Sequence, residues 1–196
     1  MNKLSQPMQQ IKRVRYVLYS IGIVLLLGRA GHVNAVDMNF SGELLERPCE
    51  ISQESLAQEV GFLTRPTRDF WISPGRGPAT GFSIKLINCN TASIARVVKL
   101  KFSGTREPNM LGQADYFLRV NGVNQGRLAI GILDTDGKML LKIGDVHNHQ
   151  QGSRIDENTI LLSFKAFVQA TPDAVRQKNV SPGDYSSVAG FELFYE

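Results

Sequence analysis

The chain has 196 residues, a length for one domain, alone or with a targeting segment, and its hydrophobic fraction of 42% is ordinary for a globular protein. The formal charge is +4, but five of the 22 basic residues (Lys3, Lys12, Arg13, Arg15 and Arg29) lie in the first 35 positions, which hold no acid. The remaining 17 face 18 acidic residues, a net charge near −1, which excludes the basic surface that a nucleic-acid binder needs.

Residues 1–35 read as a cleaved secretory signal. Lys12, Arg13 and Arg15 form its positive start, and Val17 to Leu27 is an apolar run of 11 residues, too short to span a bilayer as a helix. Arg29 ends the run, and Val33-Asn34-Ala35 is a small-residue cleavage site, so the exported chain is expected to begin at Val36. The positive region is long, which leaves Met8 as an alternative start. An uncleaved anchor helix is the weaker reading, because of Arg29 and the short run.

Export gives a meaning to the two cysteines, Cys49 and Cys89. In an oxidising compartment a lone pair is expected to form a disulfide. Closing a loop of roughly 40 residues contributes about 3–4 kcal/mol in the chain-entropy model. Two separate thiols or a metal site are the less favoured readings, since no His or further Cys stands at ligand spacing.

The exported region reads as short strands separated by turns, with no convincing helical period. Met38, Phe40 and Leu44 alternate with polar residues around Gly42, the pattern of a half-buried strand. The loop from Pro66 to Thr80 is rich in Pro, Gly and Arg and is expected to be exposed. Phe82, Ile84 and Leu86 alternate again and run into Cys89; Val98, Leu100 and Phe102 repeat the pattern. The loop from Thr105 to Gln113 is likewise expected to be exposed. Leu128, Ile130 and Ile132 alternate up to the turn Asp134-Thr135-Asp136-Gly137. Residues 161–168 form an almost continuous β-prone run, and Pro172 suits the first position of a short helical turn. Strands at this spacing with no helix between them specify an all-β sandwich or barrel.

The last strand carries Ala189, Phe191, Leu193 and Tyr195 on one face and Glu192, Phe194 and Glu196 on the other. Burying each large apolar side chain is worth about 1.5–3 kcal/mol, so something must cover this row. Either a neighbouring strand of the same chain covers it, or the sandwich lacks a strand and a partner fills the gap. Val36, Met38 and Phe40 form a β-prone segment at the expected start of the exported chain. A gap at one end and a loose strand at the other make a head-to-tail polymer. An ordinary first strand at 36–44 is an equally weighted alternative on spacing alone.

Several blocks, correctly ordered over residues 36–196, resemble a known family. They are Phe40-Ser-Gly-Glu-Leu-Leu-Glu-Arg-Pro-Cys49, Phe82-Ser-Ile-Lys-Leu-Ile-Asn-Cys89, Val98-Lys-Leu-Lys-Phe-Ser-Gly104, Ile130-Gly-Ile-Leu-Asp-Thr-Asp-Gly137 and Leu162-Ser-Phe-Lys-Ala166. The ending adds Pro182-Gly183-Asp-Tyr185, the alternating apolar row and Tyr195, with Gly183 fourteenth from the end. The chain is similar to the pilin subunits assembled by the periplasmic chaperone and outer-membrane usher route. Within that family, Arg68-Asp-Phe-Trp71, Pro74-Gly-Arg76, Val123-Asn-Gln-Gly-Arg127 and Ala170-Thr-Pro-Asp-Ala174 look most like a minor adaptor subunit of P pili. Glu196 and Phe194 depart from the pattern, and residues 105–118 do not align.

The resemblance implies an immunoglobulin-like sandwich lacking its last strand, completed by donor-strand exchange. Residues 1–35 would be the signal, 36–48 the donor extension and 49–196 the pilin domain. Val36, Met38, Phe40 and Gly42 would form the donor. Gly183, Ala189, Phe191, Leu193, Tyr195 and Glu196 would form the acceptor edge, with the chaperone binding the Glu196 carboxylate. The implied partners are a periplasmic chaperone, an outer-membrane usher and neighbouring subunits, along a route through the periplasm to a surface fimbrium. The implied role joins the tip fibrillum to the rod; an adaptor beside the adhesin, or another minor pilin, is the alternative.

No cofactor, metal or catalytic residue is expected. His147 and His149 sit in what reads as a polar loop, and Asp134 and Asp136 as turn residues; no nucleophile elbow or phosphate loop is present. Trp71, between Arg68 and Arg76, raises a sugar-binding adhesin as a less favoured reading, against a packed aromatic beneath a loop.

Overall fold

The computed structural model describes residues 38–42 and 47–196. The signal segment, Val36, and Leu44 and Leu45 of the opening motif lie outside the described residues. The chain divides into two compact units, residues 1–44 and 45–196. In the first, residues 38–42 have no regular structure, and Met38 and Phe40 are 73% and 88% exposed. Within residues 38–42 the half-buried strand expected there is not formed: alternation makes a segment able to pair, but only a ladder partner makes it a strand.

The second unit is a sandwich. A five-stranded sheet runs in the order β1 (Glu50–Ile51), β2 (Thr80–Ile87), β8 (Ile160–Ala170), β6 (Leu128–Leu133), β4 (Phe117–Arg119). Facing it, a three-stranded sheet has the order β10 (Gly190–Tyr195), β3 (Val97–Ser103), β7 (Ser153–Arg154). A small ribbon pairs β5 (Asn121–Gly122) with β9 (Tyr185–Ser186). All named pairings are antiparallel. Ile84, Leu86, Leu100, Phe102, Ile130, Ile132, Leu162 and Phe164 fill the core between the sheets. Phe82, Phe102 and Phe164 meet there with ring centroids 5.0–5.9 Å apart. These are the residues that the period-2 alternation places inward.

Helical structure is confined to connections. Helix α1 (Gln53–Leu56) follows β1, and α2 (Pro172–Gln177) follows β8. Thr171 caps α2 by accepting the Ala174 N–H, and Lys178 ends it in the left-handed region. Cys49 and Cys89 form a disulfide across the base of β1 and β2.

The loops depart from expectation. The segment 66–80 is not simply exposed: it contains a 3₁₀ turn at Thr67–Trp71, whose Phe70 is buried in the core. The segment 105–113 buries Met110 and Glu107. Met110 belongs to a second apolar cluster on the outer face of the five-stranded sheet, with Phe117, Ala129, Leu133 and Phe167. Tyr116 and Leu140 pack on it, and the Arg76 guanidinium lies 3.3 Å from the centre of the Phe167 ring. Strand β6 is therefore buried on both faces, although its sequence reads as half-exposed.

Candidate functional site: an open groove beside the last strand

Strand β10 pairs with β3 from Gly190↔Ser103 to Tyr195↔Val98. Beyond it, Glu196 and Val97 exchange both of their backbone hydrogen bonds, at 2.9 and 2.8 Å. In an antiparallel ladder, hydrogen-bonded and non-bonded pairs alternate. Glu196, Phe194, Glu192 and Gly190 therefore spend their amides on β3, whereas Tyr195, Leu193 and Phe191 direct theirs to the opposite edge. Among the described residues no strand pairs with that edge. The side chains of these same three residues point inward and are only half-buried.

Beside this edge lies an open groove of about 550 Å³. Phe82, Ile84, Ile132 and Ala166 of the five-stranded sheet line its floor, with Phe102 of the facing sheet. One wall is Ala189, Gly190 and Phe191; the other is Leu56, Val60 and Phe62. The groove thus opens straight onto core residues, where a strand would complete the sandwich.

The second wall meets β2 through side chains. Lys85 donates its N–H to Ser55 Oγ (2.9 Å), and Gln58 Nε2 donates to the Ser83 carbonyl (2.8 Å). Phe62 stacks on Tyr185 at 6.4 Å. At the far end of β10, Tyr195 donates its hydroxyl to the Cys49 carbonyl (3.1 Å), tying the last strand to the disulfide. Burial raises the Tyr195 pKa, opposed by the nearby charge of Arg47. Glu196 pairs with Lys99 at 2.6 Å on the outer face.

The structure thus brings Ala189, Phe191, Leu193 and Tyr195 together along one edge. Gly183 does not join them. It lies before β9 at φ +141, where an added Cβ would stand 2.7 Å from Val123 Cγ2, so the turn there requires a glycine. Sequence reasoning missed the opposite wall: Leu56, Val60 and Phe62 are too irregularly spaced to register as a strand. Trp71 is half-buried against the core, and Arg76 beside it in sequence serves Phe167 instead.

His147 was expected in a polar loop and is instead fully buried, accepting the Leu100 N–H at Nδ1 (3.0 Å). Asp134 is buried as well; its carboxylate accepts the backbone N–H groups of Thr135, Asn148 and His149. Among the described residues no three His, Cys, Asp or Glu side chains cluster as a metal site, and no helix is long and apolar enough to cross a membrane.

Comparison with known proteins agrees with this geometry. The chain is 47% identical over 181 residues to the fimbrial adapter PapK of Escherichia coli, covering 91% of this chain and 99% of the relative. The chain belongs to the chaperone–usher pilin family. Protein PrsK of Escherichia coli is 48% identical over the same lengths. The crystal structure of the P pilus rod subunit PapA superimposes with a TM-score of 0.61 at 23% identity, over 76% of this chain and all of that one. No family model matches the chain. The pilin fold, an incomplete immunoglobulin-like sandwich, accounts for the unpaired edge of β10.

Proposed function

We propose that this chain is a minor, adaptor-type structural subunit of a surface fimbrium, joining unlike segments of the fibre by strand exchange. The observation that carries the reading is the apolar groove beside the free amides of Phe191, Leu193 and Tyr195. A neighbouring subunit's extended segment supplies the missing ladder and fills the groove with alternating apolar side chains. Strand addition between a pilin and its chaperone is itself a standing example of this binding mode. Identity of 47% to an adapter, against 23% to a rod subunit, supports the adaptor role.

In this reading Val36, Met38 and Phe40, with Gly42 as the close-packing position, are donated to the next subunit. A periplasmic chaperone occupies the groove first, and exchange takes place at an outer-membrane usher on the way to the cell surface. The contact is head to tail, which extends a fibre rather than closing a ring. The chain acts by assembly and not by catalysis.

The test is periplasmic expression with and without the matching chaperone. The protein is expected to aggregate or be degraded alone and to be recovered as a one-to-one complex with the chaperone. A stable soluble monomer without the chaperone would sink the strand-exchange reading. Deletion of residues 36–40 should leave chaperone capture intact and block incorporation into pili.

A further inference from the structure

Strand β3 has two edges. One carries β10; the other is covered irregularly by residues 144–154. On this second edge Val98 pairs with Ser153 of β7, and the Phe102 carbonyl accepts the Gly144 N–H at 2.9 Å. Between them stands Leu100, which β10 cannot serve: Leu100 faces Leu193 as a non-bonded pair, so its amide points to the outer edge.

Both polar groups of Leu100 are taken by one residue. Its carbonyl accepts the His147 backbone N–H at 3.0 Å, and its N–H donates to His147 Nδ1 at 3.0 Å. A strand would offer a backbone carbonyl for that N–H; here an imidazole nitrogen replaces it. Because Nδ1 accepts, the neutral ring carries its proton on Nε2, which donates to Ser153 Oγ at 2.9 Å. The ring therefore bridges β3 and β7. It is 0% exposed and stands edge-on to Phe164 with centroids 6.1 Å apart.

The loop is built around this placement. Asn148, His149 and Gln150 are all left-handed, at φ 54, 53 and 69, a conformation that ordinary L-residues avoid. Asp134 holds the turn by accepting the Asn148 and His149 N–H groups at 2.7 and 3.0 Å.

We propose that His147 is a positioning residue for strand uptake: in its neutral form it stands in for a missing rung on the outer edge of β3, and so holds β10 ready to accept a strand. The second half of this statement rests on the groove reading given above; the first does not. Protonation would put a second N–H against the Leu100 N–H and a charge into a sealed apolar site. Asp134 is the carboxylate whose charge acts on the ring, and it is already committed to three backbone N–H groups. Lys99 and Lys101, which flank Leu100, alternate to the outer face of the sheet, and Phe164 of β8 brings no charge. Burial pulls the ring's pKa below 6.5, against the opposing pull of Asp134. Neutral His147 thus supports the fold fully above pH about 6.5, the unfolded value, and the support is lost as pH falls below it.

The test follows the Leu100 amide by hydrogen exchange in the protein purified as its one-to-one chaperone complex, at pH 7.5 and pH 5, corrected for intrinsic rates. Protection should fall at least tenfold in the native protein. It should fall less than twofold in His147→Asn, whose side-chain oxygen can take the Nδ1 place without titrating. An equal loss in both proteins, or none in either, overturns the proposal. If His147→Asn does not fold, the ring is titrated by NMR in the native protein; a pKa at or above the usual 6.5 overturns it. In parallel, replacement of the chaperone by a synthetic peptide carrying the N-terminal extension of the neighbouring pilin subunit is timed at both pH values. Uptake that slows with acid in the native protein but not in His147→Asn supports the positioning role. Acid-independent uptake in the native protein overturns that role. Absence of uptake at any pH counts against the groove reading, while the Leu100 exchange still decides the histidine's part.

Discussion

The five-stranded sheet carries apolar residues on both faces, and the two faces are covered differently. On the outer face, Phe117, Leu133 and Phe167 are sealed by the chain's own loops, with Met110, Leu140 and Arg76 lying over them. On the inner face, Phe82, Ile84 and Ile132 meet the facing sheet in part and an open groove in part. The three-stranded sheet repeats the contrast at its edges. Its outer edge is closed by an irregular loop and one imidazole, and its other edge is left unpaired. The chain can cover an apolar face without a regular strand, as it does twice. The gap beside β10 is therefore specific to that position, which is what assembly through it requires.

The largest expected effect sits on the closed side. Phe167→Ala removes the ring beneath Arg76 and should cost about 3–5 kcal/mol in denaturant unfolding of the chaperone-free, strand-completed protein. Peptide uptake at the groove should change little. If uptake collapsed as well, the two faces would not be independent.

Phe191→Ala sharpens the open side. The loss should appear in affinity for an added strand, by roughly tenfold to a hundredfold, following the 1.5–3 kcal/mol of burying one large side chain. Little stability should be lost before the strand is added, because Phe191 is only half-buried then. An unchanged affinity for the added strand would mean that Phe191 does not line the groove that the strand fills.

Tyr195→Phe probes the tie between them. Loss of the hydroxyl's bond to the Cys49 carbonyl should cost about 0.5–1.5 kcal/mol. The native protein, whose Tyr195 pKa is raised by burial, keeps the neutral-tyrosine contribution below pH about 10 and loses it as pH rises further. The variant should lack that alkaline step in a pH-dependent unfolding series. Glu196→Gln should have the smallest effect, under about 1 kcal/mol, since its pair with Lys99 lies at the exposed surface.

By itself the sequence determined the strands and the inward residues. Period-2 alternation in Phe82–Leu86, Val98–Phe102, Leu128–Ile132 and Phe191–Tyr195 is local, and a pleated backbone turns it directly into a face. The turn at Asp134–Gly137 was equally local, and the disulfide, though it spans 40 residues, was legible because the chain has only two cysteines. Tertiary structure alone decided which faces are closed. Phe70 and Met110 lie in segments whose Gly, Pro and polar neighbours read as exposed, and they are buried because distant strands lie beneath them. His147 sits among Asn148, His149, Gln150 and Gln151, with no apolar period to mark it, and is buried because it bonds an amide on the outer edge of β3, a rung from β7, that neither β10 nor β7 serves. Gly183 was marked by its position in the assembly motif, and the packed structure adds that its turn lies too close to Val123 to admit a side chain. Alternation tells a strand which way its side chains point; only the packed sandwich shows which edge is left without a neighbour.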